Sequence, residues 1–229
     1  MKHTMPRHIA IIPDGNRRWA REKGYNDSEG HAKGFLEVSP VLLKYLWTHG
    51  IHTVTLWMFS ADNWSRKPDE VNYLMTLFDQ FLDLMLKMAD EYNLCMLHLG
   101  RKDRIPGELC NKIHMVEGKT SKHNKGNFLF ALDYSGRDEM ERALHKFCSS
   151  GERHDPESFS RFLDTGQVSY PDPEIIIRTS GEIRTSGFMP WQSIYSEYFF
   201  LAKYYPDLST DDLDQVIKDY FNRDKRYGN

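Results

Sequence analysis

The chain has 229 residues, enough for one α/β domain with a full hydrophobic core, and we expect a single domain over residues 1–229. Its 30 Lys and Arg against 33 Asp and Glu give a net charge of -3, which argues against a nucleic-acid-binding protein. Three cysteines without zinc-type spacing, and the absence of an apolar run of about eighteen residues, predict a cytoplasmic protein with no transmembrane segment.

The first predicted element is a buried strand over residues 8–12, because the run is apolar and rich in β-branched side chains. Pro13 and Gly15 end this strand, and Asn16 is placed to cap a following helix. The turn therefore joins a strand to a helix, and its side chains lie at the carboxyl end of the strand.

The charged residues of this turn indicate an anion site. Arg17 and Arg18, with the N–H groups of the helix start, would attract phosphate, while Asp14 could hold a cation. A solvated turn is the alternative for an isolated motif of this kind, so the rest of the chain must decide between the two interpretations.

The remaining elements alternate between strands and helices, which is the pattern of a mainly parallel sheet flanked by helices. The further strands are predicted over residues 52–59, 94–99, 127–132 and 174–177. The helices are predicted over residues 29–49, 68–93, part of 105–126, 138–148, 156–163 and 211–222. The helix over 68–93 has more apolar surface than one stripe requires, so it is either deeply buried or lines an apolar cavity.

Polar clusters follow two more strands. Residues 59–68 form a predicted mobile loop after the second strand, and Arg178, Arg184 and Ser186 follow the fifth. Because ligands bind at the carboxyl ends of parallel strands, these clusters are expected to converge with Asp14 on one crevice. Glu197 lies among aromatic residues and needs a partner, for which a divalent cation shared with Asp14 is one candidate.

Five ordered motifs resemble the cis-prenyltransferase family, of the undecaprenyl diphosphate synthase type, over essentially the whole chain. They lie at residues 14–20, 30–31, 59–66, 178–186 and 191–197. The resemblance implies an α/β fold with an apolar substrate tunnel. It also implies a Mg²⁺-dependent condensation of isopentenyl diphosphate with an allylic diphosphate, which releases diphosphate and forms a cis double bond.

The resemblance also assigns residues. The catalytic positions are Asp14, Asn16, His31, Ser60, Asn63 and Arg66. The substrate-binding positions are Gly15, Arg17, Arg18, Trp19, Met58, Trp64, Arg178, Arg184, Ser186 and Arg226. Mg²⁺ is assigned to Asp14 and Glu197, and a homodimer is implied in which the tail carrying Arg226 reaches the partner's phosphate site.

Two departures from the family pattern bear on the product. Asp27 stands where many members have an arginine, so one expected diphosphate contact is missing or replaced. Met58 stands where long-chain members tend to have a small residue at the mouth of the tunnel. A bulky side chain there predicts a short product of about two to four isoprene units, since a packed apolar cavity does not tolerate overfilling.

Two alternatives stay open at this point. One is an irregular, lavandulyl-type condensation of two dimethylallyl diphosphates, which Asp27 and Met58 would also fit. The other is a non-catalytic partner subunit of a prenyltransferase, although such subunits usually lack the acid and amide present here as Asp14 and Asn16.

Overall fold

The structure is a computed structural model that describes residues 4–151 and 155–223. It is built on six strands: β1 (His8–Ile12), β2 (Thr53–Ser60), β3 (Leu94–Leu99), β4 (Gly126–Tyr134), β5 (Ile175–Arg178) and β6 (Glu197–Phe200). They form one sheet in the order β3-β4-β2-β1-β5-β6, and all neighbouring strands are parallel. The predicted α/β class with a mainly parallel sheet is therefore confirmed.

Eight α-helices lie between or after the strands within the described residues. They are α1 (Asn16–Glu22), α2 (Asp27–Ala32), α3 (Ser39–Thr48), α4 (Pro68–Tyr92), α5 (Gly107–Thr120), α6 (Gly136–Ser150), α7 (Pro156–Ser160) and α8 (Thr210–Phe221). None of the helices in this part of the chain is long and apolar enough to cross a bilayer.

The predicted single helix over residues 29–49 is wrong in one respect. The structure divides it into α2, a π-helix at Lys33–Val38, and α3. The hydroxyl of Ser39 donates to the carbonyl of Gly34 at 2.9 Å and lies 2.7 Å from the hydroxyl of Tyr205, so the wider turn is tied to the core. A π-turn keeps the apolar residues on nearly the same face, which is why periodicity alone did not reveal it.

The wide apolar face of α4 is mostly buried in the main core. Phe78 and Phe81 are fully buried and pack edge-on against Phe35, which comes from the π-helix. Leu74, one turn before Phe78, also lines the cavity described below. Deep burial therefore accounts for most of this helix, and only Leu74 among its described residues also lines the cavity, whose lining is mainly polar.

Strand β6 is an element that the sequence analysis missed. It pairs with β5 so that Glu197 lies opposite Ile175 and Phe200 lies opposite Arg178. The carboxyl ends of β1, β2 and β5 lie at one edge of the sheet, and the polar residues that follow these three strands are thereby brought together.

Candidate active site

A cavity of about 480 Å³ opens at the carboxyl ends of β1, β2 and β5. This volume is in the range of small-molecule binding sites. Its polar lining comes from Asp14, Gly15, Asn16, Arg17, Arg18, Arg21, His31, Ser60, Asp62, Asn63, Arg66, Arg178, Arg184 and Ser186. Its apolar lining comes from Ile12, Pro13, Phe35, Trp57, Met58 and Leu74.

The turn after β1 packs tightly against the segments that follow β5 and β6. Gly15 has φ +99°, and a Cβ there would lie 2.6 Å from the ring of Tyr204 and 2.8 Å from the Cβ of Ser180. Only glycine adopts this conformation at so short a distance without strain. Gly15, and not Asn16, is the N-cap residue of α1, so the predicted capping role of Asn16 is wrong.

Asn16 instead fills a buried position at the first residue of α1. Its Nδ2 donates to the carbonyl of Pro13 at 2.8 Å, while its Oδ1 has no hydrogen-bond partner among the described residues. Gly30 and Gly34 pack on it so closely that added Cβ atoms would lie 2.2 Å from its carbonyl oxygen and 2.4 Å from its Oδ1, respectively. The carboxamide is thus held in one orientation at the cavity wall.

Asp14 joins the turn after β1 to the segment after β5. Its Oδ2 accepts a hydrogen bond from Nη2 of Arg178 at 2.8 Å, and its Oδ1 lies 3.6 Å from Nη2 of Arg18. The buried Arg178 also donates from Nη1 to the hydroxyl of Ser186 at 2.9 Å and to the carbonyl of Arg184 at 2.6 Å. The predicted convergence of these two strand ends is confirmed.

Two arginines and one histidine surround Glu70, in the first turn of α4. Its Oε1 accepts from Nη1 of Arg66 at 2.9 Å and lies 3.5 Å from Nη1 of Arg17 and 3.9 Å from Nε2 of His31. The sequence analysis did not identify Glu70. Its spacing of four residues from Arg66 on a helix start was the available signal, but many surface pairs share that spacing.

His31 is a neutral side chain in this group. Burial, and then the positive charges of Arg66 and Arg17, lower its pKa to about 3. Neither ring nitrogen has a hydrogen-bond partner within the described chain. At neutral pH the imidazole therefore has one N–H to donate and one lone pair to accept, both buried beside the cavity.

The segment after β2 is a 3₁₀-helix at Ala61–Ser65. The backbone N–H of Ser60 donates to Oδ1 of Asn63 at 3.1 Å, which fixes both residues at the cavity. Trp64 points away from the cavity: its Nε1 donates to Oδ1 of Asp133 at 2.8 Å, and its ring lies edge-on to Phe59 at 5.1 Å.

Three predicted site residues within residues 4–151 and 155–223 do not line the cavity. Trp19 is buried, donates to Asp207 at 2.8 Å and stacks on Tyr25. Trp64 anchors its loop as described above, and contact of these two indoles with substrate stays a prediction. The third residue is Glu197. Arg226, also a predicted site residue, lies outside the described residues.

Glu197 lies at the amino end of β6 and pairs with Arg223. Strand pairing puts it level with Ile175 and Ile9, about 10 Å along the strands from Ile12. Carboxylates that share a Mg²⁺ ion each lie about 2 Å from it. Within one chain, Asp14 and Glu197 therefore do not lie at the same place, and the assignment of Glu197 to Mg²⁺ stays a prediction.

Comparison with known proteins gives one consistent family. The family model for undecaprenyl diphosphate synthases, named Prenyltransf, matches residues 12–228. An isoprenyl transferase of Thermotoga maritima is 38% identical over 229 residues, which cover 98% of this chain and 97% of the relative. The (2E,6E)-farnesyl-diphosphate-specific ditrans,polycis-undecaprenyl-diphosphate synthase of Micrococcus luteus is 40% identical over 98% of this chain and 92% of its own.

Two solved structures share the fold over nearly their whole length. The lavandulyl diphosphate synthase of Lavandula x intermedia, in complex with dimethylallyl diphosphate, has a TM-score of 0.94 at 29% identity, covering 98% of this chain and 99% of that one. A probable undecaprenyl diphosphate synthase of Campylobacter jejuni has a TM-score of 0.84 at 26% identity, covering 99% of this chain and all of that one.

Proposed function

Because the chain belongs to the undecaprenyl diphosphate synthase family of cis-prenyltransferases, we propose that it condenses isopentenyl diphosphate with an allylic diphosphate to a short cis-prenyl diphosphate. The observation that carries the proposal is the cavity itself. Two groups of arginines, around Glu70 and around Asp14, line one space that also has apolar lining residues. Two diphosphates and one short prenyl chain match this arrangement.

The chemistry needs charge stabilisation more than proton transfer. The allylic C–O bond breaks and its electron pair leaves with diphosphate, while the double bond of isopentenyl diphosphate forms the new carbon–carbon bond. A neighbouring C–H bond then loses its proton to the released diphosphate, and its electron pair forms the new double bond. We assign the departing diphosphate to Arg17, Arg18 and Arg66, where fixed cations would stabilise the developing charge. The neutral His31 suits a hydrogen-bond donor to that group, and its low pKa makes it a poor acid at neutral pH.

The isopentenyl diphosphate is assigned to the other side of the cavity. Arg178 is held by Asp14 and by Ser186, so its guanidinium is oriented before substrate arrives. Arg184 is mostly exposed at the rim and can close onto a phosphate. The two diphosphates would then lie on either side of Asp14, with their carbon atoms between them.

The residues present fit a Mg²⁺ ion that is held partly by substrate. No cluster of three His, Cys, Asp or Glu side chains suited to a metal occurs in residues 4–151 and 155–223, but Asp14 lies in the cavity. Mg²⁺ commonly binds to one or two carboxylates together with phosphate oxygens. Asp14 would be its protein ligand, and the ion would supply positive charge for the departing diphosphate.

The proposed short product follows from the apolar wall. Met58 is 6% exposed and lines the cavity together with Phe35 and Leu74. Beyond them the core is filled by Phe78 and Phe81, both fully buried. A growing chain would meet these side chains after about two to four isoprene units, since inserting carbon atoms into a packed core is costly.

Replacement of Met58 tests this limit. Met58→Ala should lengthen the product by at least one isoprene unit, as measured by mass spectrometry of products from dimethylallyl, geranyl and farnesyl diphosphate. Met96→Ala removes an equally buried methionine from β3, away from the cavity, and should leave product length unchanged. A long polyprenyl product from the unmodified enzyme would overturn the proposal.

Irregular condensation of two dimethylallyl diphosphates is the second candidate function. The TM-score of 0.94 with the lavandulyl diphosphate synthase favours it, as does the acidic residue at position 27. Incubation with dimethylallyl diphosphate alone separates the two routes. Product without isopentenyl diphosphate is expected only for the irregular route, and product only when both substrates are present supports the regular route.

A non-catalytic role is ranked below both, since Asp14 and Asn16 both lie at the cavity.

We further propose a cytoplasmic homodimer, in which the tail carrying Arg226 completes the partner's phosphate site and Glu197, on the edge strand β6, lies near the subunit contact. Light scattering after size-exclusion chromatography would measure the mass. An active protein that stays at 27.0 kDa would contradict the dimer.

A further inference from the structure

Arg21 and Asp27 form a two-point ion pair at the mouth of the cavity. Nε of Arg21 donates to Oδ1 of Asp27 at 2.8 Å, and Nη2 donates to Oδ2 at 2.6 Å. This parallel geometry fixes the plane of the guanidinium as well as its position. Asp27 itself is the first residue of α2, directly after the N-cap Asn26 and within the Asn26–Glu29 capping box.

Arg21 also belongs to the cavity lining. It follows Arg17 by one turn of α1, so the two side chains emerge from the same face of that helix. From the sequence alone, Asp27 indicates the loss of a diphosphate contact, and no motif points to Arg21. The structure shows a cation close to that place, brought by α1 and oriented by the acid that replaced the family's arginine.

The pairing leaves Arg21 with donors to spare. A guanidinium has five N–H groups, and the pair with Asp27 uses one on Nε and one on Nη2. Both groups on Nη1 and the second group on Nη2 stay available. Phosphate oxygens match such a planar set of donors.

We propose that Arg21 binds the diphosphate of the allylic primer and that Asp27 is its positioning residue. This inference rests on the proposed function. The side chain of Arg21 is 65% exposed, so the pair contributes little to folding and its removal should leave a folded protein. The competing interpretation is that Asp27 only repels the diphosphate of the primer. In that case Asp27→Ala should lower the KM for the primer instead of raising it.

Steady-state kinetics separate the two interpretations. Arg21→Ala and Asp27→Ala should each raise the KM for the primer about tenfold, because a charged contact with its diphosphate is lost. Any accompanying fall in kcat would measure how far this contact strengthens as the diphosphate departs. The double variant should be no worse than Arg21→Ala, since the two residues act as one unit. Asp27→Asn, which keeps one acceptor for Arg21, should fall between the unmodified enzyme and Asp27→Ala.

Two control variants show that the effect is local. The pair of Arg101 with Asp103 has nearly the same geometry, 2.9 Å and 2.6 Å, but lies away from the cavity, so Asp103→Ala should change neither KM. Arg184→Ala, on the other side of Asp14, should raise the KM for isopentenyl diphosphate and leave that for the primer nearly unchanged.

Calorimetric titration with inorganic diphosphate keeps the inference testable if no prenyl product is found. Weaker binding by Arg21→Ala and by Asp27→Ala, with Asp103→Ala unchanged, supports the pair even if the proposed reaction fails. If Arg21→Ala changes neither the binding of inorganic diphosphate nor the KM for the primer, the proposal that Arg21 binds the primer's diphosphate is overturned. Tighter binding or a lower primer KM in Asp27→Ala would overturn it in favour of repulsion.

Discussion

Gly30 and Gly34 enclose Asn16 at the cavity wall. Gly30 lies against its backbone carbonyl, and Gly34 lies against its side chain. A Cβ at residue 34 would lie 2.4 Å from Oδ1 of Asn16 and 3.1 Å from the ring of Tyr205. Both neighbours are buried, and Tyr205 is also held by its contact with Ser39, so neither can move aside freely. The space at residue 34 therefore sets the orientation of the Asn16 carboxamide.

Gly34→Ala should consequently lower the free energy of unfolding by about 2 kcal/mol, since a methyl group is forced into a packed site. Activity should fall with it, because Asn16 must rotate. Gly118→Ala is the matched control: it is also a helical glycine, but it is exposed and a Cβ would meet nothing within 4 Å. That variant should stabilise the protein by up to about 1 kcal/mol. Equal results for both variants in urea unfolding would contradict this account.

The 3₁₀-helix at Ala61–Ser65 is held to the sheet by one buried carboxylate. Asp133, near the end of β4, has φ +53° and a fully buried side chain. It accepts from Nε1 of Trp64 at 2.8 Å, and from Nε and Nη2 of Arg104 at 2.9 and 2.6 Å. This residue therefore couples the segment with Ser60 and Asn63 to the core.

Asn and Ala at position 133 should behave differently. Asparagine tolerates the left-handed conformation and keeps an acceptor for Trp64, so Asp133→Asn should cost about 1 kcal/mol. Asp133→Ala adds backbone strain and leaves the half-buried indole N–H of Trp64 without its acceptor, for a total of about 3 kcal/mol. Urea unfolding measures both, and limited proteolysis at residues 61–65 measures release of the segment. Asp133→Ala as stable and as resistant as Asp133→Asn would contradict the coupling.

The strands show which part of the fold was predictable from sequence. β1 and β3 were predicted with their observed bounds, because a buried strand between turn residues has an unmistakable apolar pattern. β6 was missed because four residues at a sheet edge, half of them partly exposed aromatics, have no period of their own. Its existence follows only from its pairing with β5.

The site was predictable where one motif contained the chemistry and unpredictable where contacts join distant segments. Asp14 and Arg178 were identified from their own strand ends. Glu70 and Arg21 were missed because their importance depends on what tertiary packing places beside them, and the position of Glu197 away from Asp14 within one chain also depends on strand pairing. Motif spacing predicts residue types at strand ends, but strand order and helix direction decide which of them meet.

At the scale of the whole molecule, three buried histidines make the free energy of unfolding depend on pH. Burial lowers the pKa of His8 to about 3 and that of His98 to about 4, and His31 was described above. Glu139 opposes them: burial, and then the nearby charge of Asp164, raise its pKa to about 7. These four groups are far apart in sequence, so the effect belongs to the fold as a unit.

The sign follows from proton binding. Between about pH 6.5 and pH 4.5 the three histidines take up protons when the chain unfolds, so their contribution to stability falls as the pH falls. Glu139 releases one proton on unfolding in the same interval and offsets one of them. The unfolded chain therefore binds about two more protons than the folded protein in this interval. The free energy of unfolding should decrease by about 2 to 3 kcal/mol per pH unit on acidification, as measured by urea unfolding at several pH values. His98→Gln should reduce that slope by about one proton, whereas His114→Gln, at an exposed position, should leave it unchanged. A stability that stays flat from pH 6.5 to 4.5 would contradict this coupling of the histidines to stability.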